Sequence, residues 1–177
     1  MDQQALVFRR ATGQDQPAIR ELVHGERLNP TGINWPNFLV AAVGGHVVGA
    51  AQVRKHSDGS HELGSLVVAG ERRGQGIASR MIDALLADER EPIWMITSEP
   101  YARNFARWDF EPIEPSAAPV KVRFNYRMGR LARIISFFKR QPKRRLVILE
   151  RLPVERRERI KTARRPAPRG RTAAPAT

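Results

Sequence analysis

A short stretch near the middle of the chain, Arg72 to Ala78 (RRGQGIA), combines two arginines with two glycines. The apolar run at residues 63–68 predicts a buried strand before it, and the apolar spacing over 76–87 predicts an amphipathic helix after it. Such a turn points unpaired backbone N–H groups and the positive end of a helix dipole at one spot. Phosphate groups bind at such spots, and Gly74 and Gly76 let the backbone approach phosphate oxygens closely. The stretch therefore predicts a phosphate site, while a purely structural turn stays open as the alternative.

Two other phosphate-binding patterns are absent from the sequence. It contains no GxxxxGK[ST] motif, and no GxGxxG motif followed by an acidic residue about twenty positions later. The predicted strand leads instead into the pattern R-x-x-G-x-A, formed by Arg73, Gly76 and Ala78.

The elements that must position this turn form an α/β pattern. Apolar alternation and short apolar runs predict strands at residues 5–8, 38–43, 46–53, 61–69, 92–97, 110–113 and 146–149. The 3.6-residue period predicts helices at residues 14–24, 76–87 and 100–108. Tight turns at Gly44-Gly45 and Asp58-Gly59 make the front half of the sheet mainly antiparallel.

Composition limits the class of protein. The chain has 177 residues, which suits one domain, and no cysteine, which excludes a disulfide, a thiolate nucleophile and a cysteine metal site. No metal site is predicted. The N-terminus lacks a signal-peptide pattern, and no apolar run approaches the roughly twenty residues of a membrane span. We therefore expect a cytoplasmic protein without a transmembrane segment.

The excess positive charge lies in the last third of the chain. The net charge is +13, and residues 121–177 hold 19 of the 31 Lys and Arg residues but only 3 of the 18 Asp and Glu residues. Within the long connection 114–145, a basic amphipathic helix is predicted at about 126–140, which packs on the sheet, forms a lid, or touches a membrane or an acidic partner. The Arg/Pro/Ala-rich tail 151–177 predicts a charged helix at 155–165 and disorder from about 163 onward. A solvated tail is expected, with a weak, salt-sensitive contact to RNA or DNA phosphates as the alternative.

The turn and its flanking elements resemble the GNAT superfamily of acetyl-CoA-dependent N-acetyltransferases. The specific part is the strand ELGSLVV at residues 62–68 followed by Arg73 to Ala78, and the likeness runs over about residues 5–113 and again over 146–150. It implies a GNAT-type acyl-CoA N-acyltransferase fold, an α/β fold with a mixed, mainly antiparallel, twisted sheet flanked by helices. One catalytic domain then occupies residues 1–150, with the segment 114–145 as an insertion and 151–177 as a tail.

The same resemblance implies how acetyl-CoA, the cosubstrate, is held. Backbone N–H groups from Arg73 to Ala78 cradle the diphosphate, the backbone of Leu66 and Val68 pairs with the pantetheine arm, and Ser79 adds a hydroxyl contact. Arg72 either meets the 3′-phosphate or faces solvent. The cofactor-binding residues implied are Leu66, Val67, Val68, Arg73, Gly74, Gln75, Gly76, Ile77, Ala78 and Ser79.

Acetyl transfer from a thioester to an amine needs a neutral amine, a polarised carbonyl and a leaving thiolate that is stabilised or protonated. Glu62 is the first candidate for the base, since it starts the strand that leads to the turn. It lies eleven residues before the second arginine of the turn, the offset of the catalytic glutamate in histone-acetylating members of the family. His56 and His61 are alternatives because imidazole titrates near neutral pH. The structural alternative for Glu62 is an ion pair with Arg54 or Lys55.

The proton donor is less clear from the sequence. The family commonly has a tyrosine where this chain has Phe105, which has no proton to give. Tyr101, one helical turn earlier on the same face, and Ser98, at the end of the preceding strand, are the candidate donors. Transfer without an acid also stays open, because a thiolate is a tolerable leaving group near neutral pH.

The acceptor side rests on the loop at residues 25–36, which would cover the acceptor pocket in this fold. Arg27, Asn29 and Asn34 are candidate contacts there. The three tryptophans are expected in the core, with one of them as a candidate lining of the pocket; they are Trp35, Trp94 and Trp108.

The sequence therefore predicts an N-acetyltransferase that moves an acetyl group from acetyl-CoA to a primary amine by direct attack on the thioester. The acceptor is an unidentified small molecule or protein amino group, and the enzyme is a monomer or a homodimer. The alternative function is a non-catalytic or regulatory acetyl-CoA-binding protein whose basic C-terminus docks to nucleic acid or to the ribosome.

Overall fold

A computed structural model of the chain describes residues 5–26, 28, 31–135 and 145–163. In these ranges seven strands form one sheet, and five α-helices lie around it. The strands are β1 (Leu6–Arg10), β2 (Phe38–Val43), β3 (His46–Lys55), β4 (His61–Val68), β5 (Ile93–Ser98), β6 (Glu111–Ile113) and β7 (Leu146–Arg151). The helices are α1 (Gln16–Gly25), α2 (Ile77–Leu86), α3 (Glu99–Ala102), α4 (Val120–Ile135) and α5 (Val154–Ala163).

The strands lie in the order β1-β2-β3-β4-β5-β7-β6. Neighbours are antiparallel except for β4 and β5, which run parallel. The predicted antiparallel front half is therefore confirmed, and the sheet is mixed, as expected. The parallel strands β4 and β5 are connected through helix α2.

Both faces of the sheet are covered. On one face, α2 packs its apolar side, including Ile77, Met81 and Leu85, against strands β2 to β5. On the other face, α1 packs Ile19 and Val23 against β2, β3 and β4. Farther along that second face, α4 packs against β5 and β7 and buries Val122 and Tyr126. The second face thus carries two helices with a space between them.

Strand β4 contains a bulge at Ser65. Against β3, Gln52 pairs with Gly64 and Ala50 pairs with Val67, so β4 has one residue more than its partner in this interval. Ser65 takes a φ of 52°, in the left-handed region that is costly for a residue with a side chain. Its hydroxyl accepts a hydrogen bond from the Gln52 amide at 3.1 Å. A bulge bends its strand, and bulges are common beside active sites.

The parallel strands β4 and β5 separate soon after they meet. In the described part of the chain they pair from His61 to Leu63 on β4 and from Ile93 to Met95 on β5, and no further. Beyond these pairs β4 continues to Val68 along β3, and β5 continues along β7. A gap therefore opens between the two strands, and main-chain groups of both face it.

The helices differ from the sequence-based prediction in two places. Helix α4 begins at Val120, six residues before the predicted start, because the buried residues that hold it on the sheet belong to its first two turns. Part of the predicted helix, residues 136–140, lies outside the described residues. The predicted helix at 100–108 is a short α-helix followed by a 3-10 helix at Arg103–Trp108.

The expectation of a buried Trp35 is wrong. Trp35 is 39% exposed because it lies in a short 3-10 helix before β2, where its ring sits beside Gly13. Trp94 and Trp108 are partly buried and pack against the two core clusters, as expected. The charged helix predicted for 155–165 is present as α5, and the tail residues 164–177 lie outside the described residues. Along the described ranges, no helix has both the length and the apolar character that a membrane crossing requires.

Candidate active site

The turn between β4 and α2 has the backbone shape that its glycines predict. Gly74 and Gly76 take φ values of 77° and 74°, a left-handed conformation that glycine adopts without steric cost. Apart from its chain neighbours, a Cβ at either position would meet no atom of the described residues within 4 Å, so the space beside both glycines is open. A ligand can therefore approach the backbone here from the side of the missing side chains.

The start of α2 supplies donors to the same space. The first hydrogen bond of the helix runs from Arg80 N–H to Gly76 O at 3.1 Å. The N–H groups of Ile77, Ala78 and Ser79 therefore have no acceptor within the helix, and the positive end of its dipole lies among them. We call residues 73–79 the cradle. Its open glycines and free N–H groups fit a diphosphate.

The side chain of Arg73 does not join these donors. Its Nε donates to the Val68 carbonyl at 3.0 Å, and its Nη2 lies 2.5 Å from Glu26 Oε1 at the end of α1. Arg73 therefore fixes the turn against the end of β4 and against α1. The charge that the sequence suggested for the phosphate is used to hold the backbone in place.

Glu62 lies on β4 at the point where β4 and β5 separate. It is 3% exposed and accepts hydrogen bonds at both carboxylate oxygens. Arg54 Nη2 lies 3.1 Å from Oε1, while His56 Nε2 and Asn125 Nδ2 lie 3.0 Å and 2.8 Å from Oε2. We call these four residues the Glu62 network. The ion pair with Arg54 that the sequence suggested is present, but it is buried in the sheet and does not lie at an edge.

Glycines make room for Arg54. A Cβ on Gly64 would lie 2.5 Å from Arg54 Nη2, and one on Gly32 would lie 3.4 Å from its Cδ. The other terminal nitrogen, Nη1, donates to the Thr31 carbonyl at 2.9 Å. Arg54 therefore joins β3 to the loop between α1 and β2 and turns one guanidinium edge toward Glu62.

A cavity of about 780 Å3 opens beside the Glu62 network, at the end of β3 and against α4. Arg54, His56 and Asn125 belong to its wall, and Thr31 and Gly32 bring in the loop before β2. Helix α4 adds apolar side chains to the wall. These are Phe124 and Met128, which are 56% and 46% exposed.

Positive charge outweighs negative charge on this wall. Arg10, Lys55 and Lys121 line the cavity in addition to Arg54. The acidic residue on the wall, Glu89, is already paired with His61 at 3.1 Å. In the described part of the chain, no ion pair involves Arg10, Lys55 or Lys121. The cavity therefore favours a ligand that carries a negative group.

Asp58 fixes α4 over the turn between β3 and β4. Its carboxylate accepts the Lys121 backbone N–H at 2.9 Å and the Ser60 hydroxyl at 2.6 Å. Desolvation of its carboxylate raises the pKa of Asp58, but the hydrogen bonds from Ser60 and Lys121 and the nearby His56 outweigh this effect and lower the pKa to about 2. Asp58 is therefore ionised at neutral pH and holds the first turn of α4 in place.

The candidate acids lie on the other side of the gap. Ser98 ends β5, and Tyr101 follows on α3 with 47% of its surface exposed. Phe105 packs in a group of aromatic rings, with its centroid 6.1 Å from that of Trp108 and 6.3 Å from that of Phe110. The residue at the usual tyrosine position thus belongs to the core on the α2 face.

Other predicted residues fall away from the Glu62 network. His61 pairs with Glu89 and not with Glu62. Asn34 is exposed, and Arg27 and Asn29 lie outside the described residues. Asn125 was not predicted from the sequence; it comes from the segment predicted as an insertion, 63 residues after Glu62. No local spacing relates the two, so only the packing of α4 reveals the contact.

Comparisons with known proteins agree with this architecture. Residues 34–112 match the family model described as an acetyltransferase (GNAT) domain. No curated protein matches the chain in sequence. Among solved structures, N-acetylglutamate synthase from Neisseria gonorrhoeae, complexed with coenzyme A and N-acetyl-glutamate, is similar with a TM-score of 0.65 and 17% identity. That match covers 83% of this chain but 35% of the synthase, so the chain spans about a third of the length of that protein.

Two shorter proteins match over nearly their whole length. Rv2747 from Mycobacterium tuberculosis, in complex with CoA and NLQ, has a TM-score of 0.61 and 26% identity, with 84% of this chain and 99% of that chain covered. Diaminobutyrate acetyltransferase EctA from Paenibacillus lautus, in complex with L-2,4-diaminobutyric acid and coenzyme A, has a TM-score of 0.56 and 13% identity, with 85% and 96% covered.

Proposed function

We propose that this chain, which matches the GNAT acetyltransferase family model over residues 34–112, transfers an acetyl group from acetyl-CoA to the primary amine of an acceptor bound beside Glu62. The observation that carries the proposal is the gap between β4 and β5, with the cradle at one end of β4 and Glu62 near the other. One strand thereby links a site for a diphosphate to a buried carboxylate. The CoA ligands in the neighbouring structures support the same cosubstrate.

The residues of this chain fit coenzyme A at two points. The N–H groups of the cradle suit the diphosphate, because open glycines and a helix N-terminus meet there. Among the described residues, main-chain groups of β4 after Leu63 have no strand partner on the side of β5, so Leu66 can pair with an extended pantetheine arm. The Val68 carbonyl already accepts from Arg73, which leaves it a smaller share of that contact.

The bound acetyl-CoA supplies an acyl thioester. In the proposed reaction the acceptor nitrogen attacks the carbonyl carbon directly, the new C–N bond forms, the C–S bond breaks, and the nitrogen gives up a proton on the side of Glu62. Holding both reactants in one gap provides proximity, which accounts for a large share of the rate in such reactions. Ser98 and Tyr101 are the proposed donors to the leaving thiolate.

The acceptor is proposed to carry a carboxylate as well as the amine. Basic side chains dominate the cavity wall, and they attract an anionic group and leave the amine near Glu62. L-2,4-diaminobutyric acid in one neighbouring structure has this combination, and N-acetyl-glutamate in another carries carboxylates beside a nitrogen that is already acetylated. An amino acid is therefore the acceptor class that the cavity fits best.

The test combines binding with turnover. Isothermal titration calorimetry with acetyl-CoA should show saturable heat, and a coenzyme A release assay should show turnover with amino acids. Each amino acid is paired with the amine that lacks its carboxylate, such as L-lysine with cadaverine. Binding heat without turnover on the whole panel favours the alternative, a non-catalytic acetyl-CoA-binding protein. Phe105 at the usual tyrosine position supports that alternative. Absence of heat removes the proposal altogether.

A further inference from the structure

The surroundings of Glu62 limit what this carboxylate can do by itself. Arg54 comes from β3 and Asn125 from α4, and both nitrogens that reach Glu62 are donors. Glu62 must therefore accept from both, which suits an ionised carboxylate. With 4% of its side chain exposed, Glu62 is enclosed by its own donors.

Hydrogen bonding then assigns the tautomer of His56. An ionised carboxylate only accepts, so the His56 nitrogen that lies 3.0 Å from it, Nε2, carries the proton. In the neutral imidazole the other nitrogen, Nδ1, keeps a lone pair. Among the described residues, Glu62 is the hydrogen-bond partner of the His56 side chain. Nδ1 is thus available as a proton acceptor.

The two members of this pair differ in access to the acceptor. His56 belongs to the wall of the cavity, whereas Glu62 is not part of that wall in the described structure. The His56 side chain is 14% exposed, against 4% for Glu62. An acceptor amine in the cavity therefore meets the imidazole before it meets the carboxylate.

We infer that His56 is the proton acceptor of the transfer and that Glu62 is a positioning residue that orients its ring. This inference rests on the proposed function. As the nitrogen attacks the thioester carbonyl, its proton moves to His56 Nδ1, the C–S bond breaks, and the sulfur leaves with the electron pair. The imidazolium that forms is then bonded to an ionised carboxylate through Nε2.

The charged groups around His56 suit this role. Glu62 on β4 and Asp58 in the turn before it are carboxylates that favour the imidazolium, and Asp58 is ionised at neutral pH. Arg54 on β3 and Lys121 on α4 oppose it. Arg54 is itself paired with Glu62, and this pairing reduces its effect on the ring.

Kinetics as a function of pH separate the two candidate bases. His56→Gln keeps a donor to Glu62 but removes the base, so kcat should fall by about 100-fold or more and the acidic limb of the kcat/KM profile should disappear. Glu62→Gln keeps the imidazole, so the acidic limb should remain, with a smaller loss in kcat that Glu62→Asp partly restores. His61→Gln, a histidine on the same sheet outside the Glu62 network, is the matched control and should retain the wild-type profile.

The opposite pattern overturns the inference. If Glu62→Gln abolishes the acidic limb and His56→Gln keeps it, Glu62 is the base. A His56→Gln enzyme with wild-type kcat also rejects His56.

A second measurement needs no turnover. In the full chain labelled with 15N-histidine, the side-chain resonances of His56, measured at a pH where the imidazole is neutral, should show the proton on Nε2. A proton on Nδ1 contradicts the pairing with Glu62 and overturns the inference. If no amine supports turnover in the wild type, the proposed function fails, while this resonance still decides the geometry of the pair.

Discussion

The cradle and the Glu62 network are built from different parts of the chain. The cradle uses backbone groups of seven consecutive residues, and its shape follows from two glycines and the start of one helix. The Glu62 network uses side chains from β3, β4 and α4, which the fold brings together from distant positions. Because the cradle depends on local geometry, distant substitutions should leave it intact. The Glu62 network depends on the packing of α4.

The largest expected effect comes from blocking the cradle. Gly76→Val places a β-branched side chain at a φ of 74° and beside the free N–H groups. The Kd for acetyl-CoA should rise about 100-fold, the equivalent of losing about two charge-assisted hydrogen bonds. Calorimetry measures this directly.

The control for that change is Gly45→Val. Gly45 has a φ of 82° in the β2–β3 turn, and no described residue beyond its chain neighbours lies within 4 Å of its Cβ position. It carries the same backbone strain without contact with the cradle. Both variants should lose similar stability, and only Gly76→Val should lose acetyl-CoA. Equal binding losses in the two would show that strain, and not the cradle, is what calorimetry reports.

The next effect in size concerns the Glu62 network. Asn125→Leu removes the 2.8 Å hydrogen bond to Glu62, and a bond to a charged group contributes about 1.5–3 kcal/mol. The value of kcat/KM for the acceptor should fall about tenfold or more, while the Kd for acetyl-CoA stays unchanged. The exposed Arg127 on the same helix provides the control, Arg127→Gln. A parallel loss of acetyl-CoA binding in Asn125→Leu would contradict the separation of the two regions.

A smaller effect is expected for the proposed proton donors. Tyr101→Phe and Ser98→Ala should each lower kcat by about threefold, because an ordinary thiol has a pKa of about 8.5 and its thiolate leaves without much help near neutral pH. Burst and steady-state rates of coenzyme A release measure the step. A loss of about 100-fold in either variant would instead identify an essential acid.

The smallest effect is on stability at low pH. The pKa of Asp58 is lowered to about 2, so its contribution is fully present above its ordinary pKa of 3.8 and is lost as the pH falls toward 2. Asp58→Asn should therefore flatten the decrease in the free energy of unfolding between pH 4 and pH 2. Urea titrations across that range measure it, with the exposed Asp88→Asn as the control. An unchanged slope would mean that Asp58 does not hold α4 to the turn.

The same contrast explains what could be predicted from the sequence. The GNAT resemblance is confirmed, and the strand, turn and helix around the cradle are found where the local apolar periods and glycines place them. The ion pair between Arg54 and Glu62, which the sequence offered as the structural alternative for Glu62, is present. Asn125 was missed, because the sequence holds no pattern that relates a residue on α4 to one on β4. The exposed Trp35 was missed for a similar reason, since size and apolarity predict burial only on average.

The bulge at Ser65 has a consequence for how this strand can change. Side chains along a strand alternate between the two faces, and one additional residue inverts the alternation. Before Ser65 the even-numbered Glu62 and Gly64 face Arg54, and after it the odd-numbered Val67 packs toward α1. Strand β4 therefore has two opposite patterns of side-chain alternation, which meet at Ser65. Deleting Ser65 would turn each later side chain of β4 to the opposite face of the sheet and bury the wrong residues. We therefore expect a deletion at this position to be tolerated less well than a substitution.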